Sequence, residues 1–271
     1  SHDGSRLATG GLDGYARLWD PLGNEIAALD AGSDWVQRVC FSPHEDVLAT
    51  AAGRELRFWR LDGAPITACT PETYTIEDAH WLAGGSGVVT CAYGAVRVWH
   101  PELEAPVESY TWKGALIAVA ASPDARHIAA GMQDAGIHFW ETATGNDLYM
   151  SGYARKVGEL SWTADGRYLA SGGGSSVILW DCAGTGPAGT EPLILEIHVK
   201  PISALACAPV GRAMASGSRD GSAIVVNPES SNTAAVFSHS SGVSQLAWEP
   251  EGKAVAFGFA DGEVAVCDAP P

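Results

Sequence analysis

Three features of this sequence use residue types that do chemistry, and each fails on its spacing or its setting. Gly184-Thr185-Gly186-Pro187-Ala188-Gly189 spells the GxGxxG pattern that lets a backbone approach a pyrophosphate. It joins two strand-like runs and opens no helix, so no helix N-terminus is available to hold phosphate, and it reads as a loop. His44-Glu45-Asp46 offers three metal-type donors in succession. Three consecutive polar residues in a turn are ordinarily solvated, and no further donors lie at ligand spacing. Ser, His and Asp are plentiful, yet nothing resembles the strand-turn-helix setting of a nucleophile elbow. The expectation is a non-enzymatic protein with no catalytic residue, no cofactor and no metal.

Composition narrows the class further. The chain has 271 residues, 46% hydrophobic and 18% charged, with no apolar run long enough to span a bilayer as a helix. A chain of this length can bury a large core without disulfides or metals. Sixteen basic against thirty-two acidic residues give a net charge of −16, which argues against a surface built throughout to hold nucleic acid or anionic lipid. The six cysteines (Cys40, Cys69, Cys91, Cys182, Cys207 and Cys267) form no CxxC and sit mostly in apolar runs. With no signal-like N-terminus and no Asn-x-Ser/Thr acceptor, the expected setting is an intracellular, reducing and cytoplasmic one.

The elements that position everything else are set by a repeat. Trp19, Trp59, Trp99, Trp140 and Trp180 recur at intervals of 40, 40, 41 and 40, each at the end of a short alternating strand (YARLW, ELRFW, AVRVW, GIHFW, VILW). The series continues without Trp at Val226 and Cys267, and the Gly184–Gly189 insert accounts for the one long interval. In phase with it run a first strand (VQRVCF, IEDAHW, LIAVAA, VGELSW, ISALAC, VSQLAW), a second apolar strand and a fourth after the Trp position. Seven units of about forty residues, each with four short strands and Gly, Pro or Asp turns, specify four-stranded antiparallel blades. The units end near residues 20, 60, 100, 141, 181, 227 and 268 of a single domain spanning 1–271.

On these residues the chain resembles the WD-repeat family over its whole length. Trp19-Asp20 and Trp180-Asp181 are WD dipeptides; Ser122-Pro123-Asp124 and Asp165-Gly166-Arg167 match the family's first turns; Asp13-Gly14, Asp220-Gly221 and Asp261-Gly262 match its second turns. The resemblance implies an all-β, seven-bladed propeller with degenerate repeats. The chain opens at the first turn of blade one and stops after the third strand of blade seven, so both blades are incomplete. Further residues, N-terminal ones first, are expected to supply the closing strands. The family's buried network of His, Ser or Thr, Asp and Trp is incomplete in most blades; its His and Asp residues are read as structural.

Function is then left to the loops. Strand reversal puts second-to-third turns and blade-to-blade connections on one face, the upper face, and the remaining turns on the other. Eight of ten tryptophans end third strands or fill first strands (Trp81, Trp162, Trp248), where core packing explains them. Trp35 and Trp112 fall in blade-to-blade connections, as do Tyr74 and Tyr153. They either anchor a partner or cover the ends of first strands; the two readings stand equal here.

Charge divides the same way. Lys113, Arg155, Lys156, Lys200, Arg219 and Arg54 belong to upper-face loops, where the free acids are Asp34, Glu55 and Glu72. The opposite face collects Asp3, Glu45, Asp46, Glu102, Glu104, Asp124, Asp147, Asp165, Glu191, Glu229, Glu249 and Glu251.

The leading expectation is a protein-interaction scaffold, monomeric and part of a multiprotein complex, binding a protein or peptide partner, acidic or phosphorylated, through its upper face. Partner contacts are assigned to Trp35, Tyr74, Trp112, Lys113, Tyr153, Arg155, Lys156, Lys200 and Arg219. The rivals are a nucleic-acid-contacting subunit, an enzyme using the channel mouth, and a propeller module of a longer polypeptide whose chemistry lies elsewhere. No membrane association is expected.

Overall fold

A computed structural model of the chain describes residues 1–184, 186–228 and 232–269. Among them are 26 strands in seven antiparallel sheets and no helix, so none is long and apolar enough to cross a membrane. Five sheets have four strands and the first and last have three, each ordered as in the sequence. This is the all-β blade architecture that the forty-residue repeat implies, down to the two incomplete blades. Two compact units are distinguished, residues 1–130 with 139–147 and residues 131–138 with 148–271.

In the first unit, blade one is Leu7–Gly10, Tyr15–Trp19 and Glu25–Asp30; blade two is Val36–Phe41, Val47–Ala52, Glu55–Arg60 and Pro65–Ala68. Blade three is Ile76–Trp81, Val88–Ala92, Ala95–Trp99 and Glu108–Thr111. Blade four (Leu116–Ala121, His127–Met132, Ile137–Glu141, Asp147–Met150) divides between the units. In the four-stranded blades two and three the second strands are rich in Ala, Thr and Val and are buried almost throughout, because each lies mid-sheet with a neighbouring blade packed on its face, whereas the blade-one strand Leu7–Gly10 is a sheet edge and largely exposed. The core therefore sits between blades: Leu18, Leu29, Leu48 and Trp59 fill one such layer, and Phe58, Ile76, Val88 and Trp99 the next. The third-strand tryptophans are also tied by hydrogen bonds. Trp19, Trp59 and Trp99 each donate Nε1–H to a second-strand threonine, Thr9, Thr50 and Thr90, at 2.9 Å. Trp81, in a first strand, donates instead to the Cys40 carbonyl of the preceding blade at 2.8 Å.

In the second unit, blade five is Leu160–Trp162, Tyr168–Ser171, Val177–Asp181 and Leu193–Leu195. Blade six is Ile202–Cys207, Met214–Ser218, Ser222–Asn227 and Asn232–Ser238; blade seven is Val243–Trp248, Ala254–Phe259 and Val264–Asp268. The layer between blades five and six holds Leu179, Ile202, Met214 and Val226, and the next holds Val225, Val243, Val255 and Phe257. Trp248 donates to the Ala206 carbonyl of the preceding blade at 3.0 Å, as Trp81 does in the first unit. Second-strand glycines let a neighbouring blade approach closely. A Cβ on Gly131 would stand 2.2 Å from the Val157 carbonyl oxygen, and one on Gly217 would stand 2.3 Å from the Val243 side chain. In the Gly184–Gly189 insert, Thr185 lies outside the described residues.

Candidate functional site

The loops of each unit are knitted together by backbone hydrogen bonds that put second-to-third turns and blade-to-blade connections on one face. In the first unit Val36 N–H donates to Gly11, Glu72 to Arg54, Ile76 to Gly53 and Trp112 to Gly94, all at 2.8–3.0 Å. In the second, Arg155 donates to Gly173, Ile202 to Gly174 and His239 to Gly221 over the same range.

On this face of the first unit Trp35 is 59% exposed and Tyr74 50% exposed. Tyr74 packs edge to face against Tyr93, ring centroids 5.0 Å apart, and Tyr93 is itself 46% exposed. Tyr93 was not among the expected residues. Its signal was present, since it stands in the second turn of blade three, where no other blade places an aromatic residue. Trp112 is half-buried beside the exposed Lys113.

Tyr153 corrects the expectation. It is only 8% exposed, and its phenol oxygen lies 2.7 Å from both Trp180 Nε1 and Ser171 Oγ. Burial pushes its hydroxyl up to about 12. This tyrosine completes the polar network of blade five and presents no surface to a partner. Blade six keeps a related network without a Trp: His198 contacts Ser216 Oγ at 2.8 Å through Nε2 and Ser222 Oγ at 2.5 Å through Nδ1. Asp220 accepts the backbone N–H groups of Val199 and Lys200 at 3.0 Å and of Ser222 at 2.8 Å. Although burial opposes it, the hydrogen bond from the Ser222 hydroxyl, together with these backbone ones, holds the Asp220 carboxyl well below the usual range. The backbone of Lys200 is thereby fixed while its side chain stays exposed.

Arg155, Lys156 and Arg219 come together in the second unit. They line a cleft of about 440 Å³ with Gln133, Glu159, Gly173, Gly174, Pro201 and Ile202. Arg155 and Lys156 lie on the connection into blade five, and Arg219 lies in the second turn of blade six. All three are exposed. Glu159 is half-buried, and burial raises its carboxyl above the ordinary value despite hydrogen bonding to Gly158 and the fields of Arg219 and Lys156.

Ion pairing separates the basic residues of the chain into two groups. Arg17 pairs with Asp13, Arg38 with Asp78, Arg57 with Glu55, Arg97 with Glu72, Arg126 with Asp124, Arg167 with Asp181, Arg212 with Asp165 and Lys253 with Glu251. Among the described residues, Arg6, Arg60, Arg54, Lys113, Arg155, Lys156, Lys200 and Arg219 have no carboxylate partner within 4.0 Å. The last six of these are the residues assigned from sequence to the upper face. Two of the three acids expected to be free there are not: Glu55 is held by Arg57, and Glu72 is buried against Arg97. On the opposite face, Glu229 lies outside the described residues, and His44 turns a ring nitrogen onto the Ala83 carbonyl at 2.9 Å.

A family profile described as "WD domain, G-beta repeat" matches residues 1–20, 23–60, 148–181 and 189–227. The chain is 31% identical over 120 residues to the Small ribosomal subunit protein RACK1 of Medicago sativa, across 36% of this chain and 37% of that protein. It is 27% identical over 153 residues to the WD repeat-containing protein slp1 of Schizosaccharomyces pombe, across 54% of this chain and 31% of that protein. The match thus spans about a third of the length of each of these relatives.

Proposed function

We propose that this chain, which matches the WD-repeat profile in four segments and folds into seven antiparallel sheets, is a protein-interaction module that binds its partner on the face of the blade-to-blade loops. WD-repeat proteins generally act as interaction scaffolds, and the loop face supports that reading in both units. Trp35, Tyr74 and Tyr93 supply contact area at low entropic cost in the first. Arg155, Lys156, Lys200 and Arg219 supply charge in the second, and Lys113 and Arg54 add to it in the first.

The observation that carries the reading is the pairing pattern. Among the described residues eight of the sixteen basic side chains have no carboxylate within 4.0 Å, and six of these eight are loop-face residues, the other two being Arg6 and Arg60. Unpaired cations on a strongly acidic protein attract and orient an acidic or phosphorylated segment.

Affinity capture from native lysate tests the proposal, with the unaltered protein beside a variant carrying Trp35, Tyr74, Arg155 and Lys156 as Ala. A second variant carries Glu249 and Glu251 as Ala on the opposite face. With equal melting temperatures, the partner should be lost from the first variant and kept by the second. Equal capture by all three proteins overturns the assignment of the face.

A further inference from the structure

We propose that the cleft of the second unit, between Arg155, Lys156 and Arg219 on the face read above as the binding face, seats one phosphate-monoester group carried on a partner peptide. Three blades build it: Gln133 comes from blade four, Arg155, Lys156 and Glu159 from blade five with Gly173 and Gly174, and Arg219 from blade six. The cations are set by backbone and not by neighbouring acids. Arg155 N–H donates to the Gly173 carbonyl at 3.0 Å and Arg219 N–H to the Pro201 carbonyl at 3.1 Å, while all three side chains remain without a carboxylate within 4.0 Å.

Charge selects the guest. Three cations and the Glu159 carboxylate leave the cleft two positive charges in excess. A phosphate monoester carries about −1.5 to −2 at neutral pH and offers three acceptor oxygens, so it neutralises that excess. A glutamate or aspartate side chain carries half as much. Guanidinium groups on two separate elements suit a tetrahedral anion with several oxygens, to which each can present paired N–H donors. Space is sufficient as well, because about 440 Å³ accommodates a phosphorylated side chain and the water around it. Since Arg155, Lys156 and Arg219 are all exposed, the cleft is a trough open to the loop face. A group presented on a chain enters it directly.

Glu159 sets selectivity. A Cβ on Gly172 would stand 2.6 Å from Glu159 Oε2, so the glycine leaves room for the carboxylate at the base of the trough. There it opposes a second anion and weakens capture of free polyanions.

The test is fluorescence anisotropy with three degenerate nine-residue peptide pools, centred on phosphoserine, serine or glutamate, and inorganic phosphate as competitor. The phosphoserine pool should bind at least tenfold more tightly than the serine pool, with the glutamate pool nearer to serine. Arg155→Ala and Arg219→Ala should each weaken phosphoserine binding tenfold or more at unchanged melting temperature, Arg155→Lys less, and Glu159→Gln should tighten it severalfold. Equal binding of the serine and phosphoserine pools, or phosphoserine binding kept by the Arg155→Ala, Arg219→Ala double variant, overturns the proposal. Competition by inorganic phosphate at the peptide's own concentration assigns the cleft to a free anion and also overturns it. If phosphatase treatment of the lysate leaves partner capture undiminished, the interaction reading stands and only the phosphate seat falls.

Discussion

The phenol oxygen of Tyr153 stands 2.7 Å from the indole Nε1 of Trp180 and 2.7 Å from the hydroxyl of Ser171. In blades one to three the indole meets a second-strand threonine directly. In blade five the second strand offers Ser171, which donates to the Ile178 carbonyl at 3.1 Å, and a tyrosine from the connecting loop bridges serine and tryptophan. One loop aromatic is therefore recruited inward while Trp35 and Tyr74 stay outside.

Tyr153→Phe is accordingly a stability variant. It removes the acceptor for Trp180 Nε1–H in a half-buried site, and a polar group stranded in that way costs about 1–3 kcal/mol. Urea unfolding followed by tryptophan fluorescence should show the loss, with partner capture unchanged after correction for folded fraction. Trp35→Ala should do the reverse, keeping stability within about 0.5 kcal/mol and reducing capture. A Tyr153→Phe variant of unaltered stability that loses its partner would return Tyr153 to the binding surface.

Thr90→Val should cost more than Thr9→Val. Trp99 is 2% exposed and its Nε1–H has Thr90 Oγ1 as acceptor, so valine, of nearly the same shape, strands a buried donor. About 1–3 kcal/mol is expected. Trp19 is half-exposed, and water can replace Thr9, which leaves a change of about 0.5 kcal/mol. Equal midpoint shifts in parallel denaturation curves would show that blade one is as tightly closed over its tryptophan as blade three.

Acid sensitivity should centre on Asp78. Burial alone would raise its carboxyl, but His80 Nε2 at 3.1 Å and Arg38 Nε at 2.7 Å outweigh burial and bring it from 3.8 to about 2. It also accepts the Val119 N–H of the next blade at 3.1 Å. A folded value below the unfolded one means that the stabilisation is complete above pH 3.8 and is lost as pH falls toward 2. Its size is roughly 2 kcal/mol at most, because Arg38 and His80 are partly solvated. Between pH 5 and pH 2 the unaltered protein should lose more stability than Asp78→Asn, which starts lower and titrates less. Parallel curves for the two would remove Asp78 from the acid response.

The blades were legible because period and composition carry them. A forty-residue spacing of Trp19, Trp59 and Trp99 marks the blades, and in the four-stranded ones the small residues of the second strand are buried mid-sheet whatever the loops do. The basic residues of the loop face were legible from topology alone, since strand reversal assigns Arg155 and Arg219 to the same side. Their convergence on one cleft was not, because it depends on three blades placing separate loops at close range. Tyr153 and Glu72 were misread for a common reason: a residue in a connecting loop can fold inward when a half-buried donor such as Trp180 needs an acceptor or a half-buried arginine such as Arg97 needs an acid. Spacing along the chain does not record that choice.

The six thiols should be silent until the protein unfolds. All are free of disulfides, and Cys69, Cys91, Cys182, Cys207 and Cys267 are buried, with Cys40 partly so. Burial pushes Cys40, Cys69, Cys182 and Cys207 up to about 12 and Cys91 well above its ordinary value. The thiolate is the reacting form, so at pH 8 only about one in ten thousand of the first four is competent. Iodoacetamide at pH 8 should leave the native protein unmodified by mass spectrometry over an hour and add six groups in denaturant. Cys267, in the last strand of blade seven, is raised by burial to a smaller degree and should be the first to react. Rapid modification of Cys91 in the native protein would contradict its place in the core of blade three, between Ile76–Trp81 and Ala95–Trp99.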